Sequence, residues 1–224
     1  MKIAGPGSSG AERRTQLTRE RVVAAGIDLA DRDGIESISM RRLAQELGIE
    51  AMSLYTHVRN KDDLLDGMVD AVIGEIPTSV DSADWKTSLR RMALAARGVV
   101  LTHPWAPRPI ATRTTPGPAM MRYVNTVLGI LREGGFTIAL AHHALHILGS
   151  RMLGFTQELF DDSGDLDPEE AARLASELGA VLPHVAEMAL AVTHGGALGG
   201  CDDDVEFEFA LDFILDGLDR LQSG

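Results

Sequence analysis

The sequence predicts an all-α protein, with a small domain of three helices followed by a larger helical domain. Apolar residues recur at spacings of three and four along most of the 224 residues, which is the period of an α-helix. No stretch alternates apolar and polar residues as a half-buried strand does, and runs of β-branched residues are short. No apolar run approaches the roughly 18 residues of a membrane helix, so we expect no membrane association.

The first seventeen residues predict a disordered tail. Glycine, serine and charged residues are common in this segment, and apolar periodicity is absent. The tail also lacks the apolar stretch of a signal peptide. A single cysteine, Cys201, excludes an internal disulfide and a cysteine-based metal cage. We therefore expect a cytoplasmic protein.

Residues 18–62 predict a first domain built from three short helices. Thr18 is a typical cap for the first helix, and Gly34 ends it. Ser39 caps the second helix and Gly48 ends it, after which a helix of one to two turns follows.

Residues 63–224 predict the second domain, whose first helix begins at the domain boundary. A cluster of prolines after residue 103 indicates an irregular connection in its first half. The helices expected from periodicity and from these breaks cover residues 61–76, 85–101, 118–133, 137–160, 168–180, 183–194 and 204–222.

Two of these helices carry more apolar surface than one core contact uses. In the helices at 137–160 and 204–222, apolar residues repeat at alternating spacings of three and four. Phe209 and Phe213 make the last helix apolar on more than one side. We predict a homodimer in which these helices meet their copies as a four-helix bundle. The alternative is that both helices form the central core of one chain.

Charge is distributed unevenly between the two ends of the chain. The net charge is −12 overall, with a net of +2 through Lys61 and −14 after it. This asymmetry indicates two modules with different partners, although an acidic surface is also a common means of staying soluble.

The segment from Ser39 to Lys61, SMRRLAQELGIEAMSLYTHVRNK, has the pattern of a helix-turn-helix unit. Such a unit needs a small residue at the helix crossing, a turn glycine and apolar anchors in the second helix, and these are Ala44, Gly48, Ile49 and Leu54. The second helix then exposes short and polar side chains that fit a major groove. Phosphates would be contacted by the surrounding basic residues Arg41, Arg42, Arg59 and Lys61. The alternative is an ordinary helical hairpin.

The segment from Thr18 to Asp70 resembles the DNA-binding domain of the TetR family of bacterial repressors. It contains the signature Leu-Tyr-x-His-Val-x-Asn-Lys at residues 54–61. The similarity to the tetracycline repressors extends to the C-terminus through Gly134-Gly135-Phe136, Gly154 and Glu158. The resemblance implies a homodimeric repressor that a small-molecule effector releases from double-stranded operator DNA. The DNA contacts it implies are Arg41, Ala51, Met52, Ser53, Tyr55, Thr56, His57 and Lys61.

The resemblance also implies an effector pocket, but with altered chemistry. Alignment places Ile110 where tetracycline repressors have a metal-binding histidine, and Met92 where they have a drug-binding asparagine. Neither side chain replaces an imidazole or an amide, so we expect a largely apolar effector without magnesium or another cofactor. The ligand-binding residues expected are Met92, Ile110, Tyr123, Val127, His142, His146 and Glu158.

A second interpretation comes from His142 and His146. Two histidines four apart on a helix can bind one metal ion, and they can equally be packing or interface residues. The alternative function is therefore an all-α metal- or ligand-binding protein that uses His142, His146 and Glu158. The sequence contains no glycine-rich phosphate loop and no nucleophile elbow, so we do not expect an enzyme.

Overall fold

The computed structural model describes residues 17–79, 84–113, 115–154, 173, 176–177, 179–191 and 203–223. Within these residues the chain forms α-helices and one 3-10 helix, Ile35–Ser37, and contains no strand. The all-α prediction is confirmed. The helices are α1 Arg19–Asp33, α2 Met40–Glu46, α3 Ala51–Leu54, α4 Lys61–Gly74, α5 Trp85–Thr102, α6 Pro107–Thr112, α7 Pro118–Glu133, α8 Ile138–Gly154, α9 Pro183–Ala191 and α10 Asp203–Ser223.

Side-chain caps begin the first two helices where the sequence predicts them. The Thr18 hydroxyl accepts a hydrogen bond from the Arg21 amide at 3.3 Å, and the Ser39 hydroxyl accepts one from the Arg42 amide at 3.2 Å. Each bond satisfies an amide that has no partner inside its helix. Gly34 ends α1 with a φ of 80°, a conformation that glycine adopts without strain.

Contacts divide the chain into two compact units, Met1–Ala71 and Val72–Gly224. The division falls inside α4, whereas the sequence predicts a boundary at residue 62. The first turns of α4 belong to the first unit because Leu64 and Met68 are fully buried there. A Cβ added at Gly26 of α1 would lie 2.9 Å from the Met68 sulfur, so glycine permits this close helix crossing.

The core of the second unit is formed by α5, α7, α8 and α10. Its centre includes Leu131, Phe136, Leu211 and Leu215, which are fully or almost fully buried. The ring of Phe136 meets the ring of Trp85 edge to face, with centroids 4.7 Å apart. This contact fixes the turn between α7 and α8 against the start of α5.

Ion pairs also join α5 to α10 along their exposed edges. Arg97 pairs with Asp204 at 2.8 Å, and Arg90 reaches two carboxylates of α10. Lys86 pairs with Asp216. Lys86, Arg90 and Arg97 recur about one and two helical turns apart, so they form one basic edge of α5. The acidic residues of α10 lie along this edge.

Three predicted helices, at 137–160, 168–180 and 183–194, are only partly covered by the described residues, and one connection differs from its prediction. The described part of α8 ends at Gly154, so residues 155–160 and most of the predicted 168–180 helix lie outside the described residues, as do residues 1–16. The proline-rich connection contains the short helix α6, because Pro107 occupies the first turn, where no amide is needed. No described helix is long and apolar enough to cross a membrane.

Candidate nucleic-acid interface and ligand cavity

Helix α3 presents a polar surface on the first unit. The side chain of Leu54 points inward and is fully buried. Val58, which follows the helix, is only 1% exposed. Ser53 and Thr56 are exposed, and Met52 is 73% exposed. The backbone turns from α2 into α3 at Gly48, which has a φ of 65°. The unit therefore has the geometry of a helix-turn-helix whose second helix is open to a groove.

An ion-pair network holds the C-terminal end of α3. The Arg19 guanidinium donates to both carboxylate oxygens of Asp63 at 3.0 Å and also to the backbone carbonyl of His57 at 3.0 Å. Asp63 further accepts a hydrogen bond from the Arg59 amide at 2.8 Å. A single α1 side chain thus ties the end of α3 to the start of α4.

The electrostatics of Asp63 follow from this geometry. Hydrogen bonds from Arg19 and from the Arg59 amide hold the pKa of Asp63 well below its usual range, and they outweigh the opposing effect of burial. Asn60 completes the arrangement, since its side-chain oxygen accepts from the Asp63 amide at 2.8 Å and caps α4. The pairing of Arg19 with Asp63 was not predictable from local sequence patterns, because the residues lie 44 positions apart.

The basic residues around α3 fall into two groups. Arg41 and Lys61 are exposed and make no ion pair within the described residues. Arg42 instead pairs with Asp33 at 2.5 Å, and the Arg59 guanidinium lies 3.3 Å from Asp63. Arg42 shares its carboxylate with Arg32, and Arg59 shares its carboxylate with Arg19, whereas no described carboxylate pairs with Arg41 or Lys61. Contact of these basic residues with phosphates stays a prediction.

The other predicted DNA-contact residues also lie on or beside α3. Tyr55 is 45% exposed, while Ala51 and His57 are half-buried. The Thr56 hydroxyl donates to the Ser53 carbonyl at 2.7 Å, which leaves its oxygen lone pairs and its methyl group for a partner. The structure therefore brings the predicted set together on one surface, and their contacts with DNA stay a prediction.

The second unit contains a cavity of about 240 Å³. The segment at and after the end of α4 contributes Ile73 and Ile76, and α5 to α8 contribute the other lining residues. Four of the predicted ligand-binding residues are among them: Met92, Ile110, Tyr123 and Val127. The lining side chains are almost all aliphatic, which matches the apolar effector expected from the sequence. Their contact with an effector stays a prediction.

Two of the predicted ligand-binding residues do not line this cavity. His142 and His146 are exposed on α8, where their rings meet edge to face with centroids 4.5 Å apart. The cavity side of α8 is formed by Leu145, Leu148 and Gly149. The two imidazoles therefore lie outside the described lining, since a shared helical face does not establish which face turns inward. Their contact with an effector stays a prediction.

The proposed metal set is not assembled in the described structure. Glu158 lies outside the described residues. Among the residues the structure describes, no group of three or more histidine, cysteine or carboxylate side chains is placed to hold a metal ion. The alternative function built on His142, His146 and Glu158 is not favoured.

His103 lies in the connection between α5 and α6, and its side chain is buried. Its Nε2 lies 3.3 Å from a carboxylate oxygen of Glu75, and its ring centroid is 6.2 Å from that of Trp105. The residue thus connects the segment after α4 to the α5–α6 corner.

Comparisons with known proteins agree with both parts of this geometry. Residues 22–68 match the family described as "Bacterial regulatory proteins, tetR family", and residues 77–221 match "Tetracyclin repressor-like, C-terminal domain". The "HTH-type transcriptional repressor DrrR1" of Streptomyces coeruleorubidus is 33% identical over 213 residues, covering 92% of this chain and 78% of its own.

Two further relatives differ in how much they share with this chain. An HTH-type transcriptional regulator of Saccharopolyspora erythraea is 40% identical over 121 residues, and this chain spans only 51% of its length. The crystal structure of the Streptomyces coelicolor TetR family protein ActR in complex with (S)-DNPA superposes with a TM-score of 0.71 at 29% identity, over 91% of this chain and 97% of that one.

Proposed function

The chain belongs to the TetR family of bacterial regulatory proteins, and we propose that it represses transcription by binding operator DNA until a small-molecule effector releases it. The observation that supports this most directly is α3, whose polar side is open while Leu54 and Val58 anchor its other side in the core. The proposed activity is reversible binding in the cytoplasm, with no chemical step.

We propose that the active form is a homodimer through α8 and α10. Both helices carry large apolar side chains on their exposed faces: Phe209 and Phe213 are 70% and 67% exposed, and Ile138 is 63% exposed. Phe209 and Phe213 lie one helical turn apart, so they share a face opposite the buried Phe207 and Leu211. Covering this face with a second copy removes apolar area from water.

In the proposed dimer two copies of α3 are available, one for each half-site. Each α3 then enters a major groove of one half-site, with half-site centres about 34 Å or a multiple of it apart. Effector binding acts through α4, which begins at Lys61 and ends one residue after the cavity-lining Ile73. An effector that binds more tightly to a conformation whose two α3 helices do not match the half-site spacing increases the population of that conformation. The protein then dissociates from the operator.

Genomic footprinting with the full-length protein tests this function. We expect an enriched, two-fold symmetric fragment, and a purified protein whose affinity for that fragment greatly exceeds its affinity for random DNA. Equal affinity for the two DNAs would contradict the proposal. Light scattering during size-exclusion chromatography should give twice the 24.0 kDa of one chain, and Phe213→Glu should reduce it to the monomer mass.

Substitutions on the first unit distinguish positioning contacts from base readout. Lys61→Ala should weaken binding to operator and random DNA alike. Each phosphate contact that is lost should also reduce the slope of log affinity against log salt concentration by about one. Ser53→Ala and Thr56→Val should instead change the preferred sequence. Arg91→Ala is the matched control, because it also removes one positive charge, from an exposed residue of the second unit that has no ion pair within the described residues, and it should leave both affinities unchanged.

A further inference from the structure

Tyr123 is the one residue with a polar side-chain group among the described residues that line the cavity. Of the fifteen residues that line the cavity, the other fourteen are isoleucine, leucine, valine, methionine, alanine or glycine. None of the fifteen is charged, so the described wall offers nothing to neutralise a charged ligand. The described lining therefore offers aliphatic contact and a single phenol.

The hydroxyl has capacity for a hydrogen bond that the protein does not use. Within the described part of the chain, Tyr123 donates to no residue and accepts from none. Burial raises the pKa of the Tyr123 phenol, so the group stays protonated at neutral pH and acts as a donor. A protonated phenol that forms no hydrogen bond with a described residue keeps its donor available to an acceptor that enters the cavity.

We propose that the cavity takes a neutral, largely apolar molecule with one acceptor oxygen that receives the hydrogen bond of the Tyr123 hydroxyl. The volume of about 240 Å³ lies just below the range of drug-sized pockets, which suits a molecule the size of two fused rings. Calling this molecule the effector rests on the proposed function, while its chemical class rests on the cavity alone.

Three naphthalenes of nearly equal shape test the class of ligand. They are 2-acetylnaphthalene, which carries a neutral acceptor; 2-isopropylnaphthalene, which carries none; and 2-naphthoate, which carries a charge. Equilibrium dialysis against the full-length protein gives the three dissociation constants. We expect the ketone to bind more than about 100-fold more tightly than the carboxylate, because no described lining residue compensates a buried charge.

Tyr123→Phe isolates the hydroxyl, since it removes one oxygen and keeps the ring. Because the ketone and the hydrocarbon differ in hydration, the informative quantity is the ratio of their affinities in each protein. We expect this ratio to fall about tenfold in Tyr123→Phe, through weaker binding of the ketone. Thr126→Val removes a hydroxyl from the same helix at a residue outside the lining, and should leave the ratio unchanged.

Three outcomes would overturn the inference: failure of the ketone to bind, equal binding of ketone and carboxylate, or an unchanged ratio in Tyr123→Phe. Thermal unfolding of each variant ensures that a folded protein is compared. Operator binding measured in parallel separates this inference from the proposed function. If the ratio depends on Tyr123 and the protein prefers no DNA sequence, the ligand class stands and the repressor function fails.

Discussion

Replacing Asp63 with asparagine tests how the first unit holds its DNA-facing helix. The carboxylate accepts hydrogen bonds from Arg19 and from the Arg59 amide, and an asparagine retains only one acceptor oxygen. Hydrogen bonds to charged groups contribute about 1.5–3 kcal/mol each. Water compensates for part of the missing hydrogen bonding, because the Arg19 side chain is 41% exposed. We expect Asp63→Asn to lower the free energy of unfolding by about 2 kcal/mol at pH 7.

The pH dependence identifies the ion pair as the cause. The pKa of Asp63 is lower in the folded than in the unfolded protein, so its contribution to stability is present above the unfolded pKa, near about 4, and is lost as the pH falls below it. Below this pH, the free energy of unfolding of the wild type falls by about 1.4 kcal/mol per pH unit relative to that of the variant. The stability difference should therefore shrink from about 2 kcal/mol at pH 7 to about 1 kcal/mol or less at pH 3.

Urea unfolding followed by circular dichroism measures this difference. The two pH values avoid the isoelectric point near 4.9, and equal protein concentrations keep any association the same. Asp28→Asn is the control: it makes the same chemical change on α1 at an exposed residue that has no ion pair within the described residues, and it should cost less than about 0.5 kcal/mol. A stability difference that is the same at both pH values would refute the ion-pair explanation.

Other substitutions probe packing and charge with the same unfolding assay. Ser37→Ala should raise the free energy of unfolding by about 1 kcal/mol, because the Ser37 hydroxyl is buried without a hydrogen-bond partner in the described structure; a decrease would reveal a partner. Gly134→Ala should lower it by about 2 kcal/mol, since the new Cβ would lie 2.7 Å from the Trp85 Cβ. Gly98→Ala, with open space around it, should instead raise it by about 0.5–1 kcal/mol. Arg90→Met should lower the free energy of unfolding by less than about 1 kcal/mol at low salt, and by less still at 1 M salt. A larger decrease would mean that the ion pairs joining α5 to α10 act as a network.

Local chemistry explains why much of the fold could be predicted. The caps at Thr18 and Ser39 and the ends of most helices depend on residues within a few positions of each other, and the structure places them as expected. Helix α6 was not predicted because a cluster of prolines indicates breaks, although Pro107 is compatible with a first turn. The boundary between the units was not predictable from periodicity, since α4 is one continuous helix.

The candidate sites were predictable only where their residues are consecutive. The α3 surface comes from one short segment, so its exposed residues could be identified from their spacing. Met92 and Ile110 were identified through the resemblance, and Tyr123 and Val127 as candidate lining of an apolar cavity. Ile73 and Ile76 gave no signal of their own in an ordinary apolar stripe. His142 and His146 show the limit of such patterns, because only tertiary packing determines which face of α8 turns inward.

The Arg19 network explains how so short a DNA-facing helix can have a defined orientation. Helix α3 spans only Ala51–Leu54, and a single turn is far below the length at which a helix is stable alone. Leu54 and Val58 anchor it in the core, but two apolar contacts along one side leave rotation about that line open. The bond from Arg19 to the His57 carbonyl, with Asp63 fixing the guanidinium, restrains that rotation. Base readout needs this restraint, because hydrogen bonds to base edges weaken steeply as donors and acceptors leave alignment.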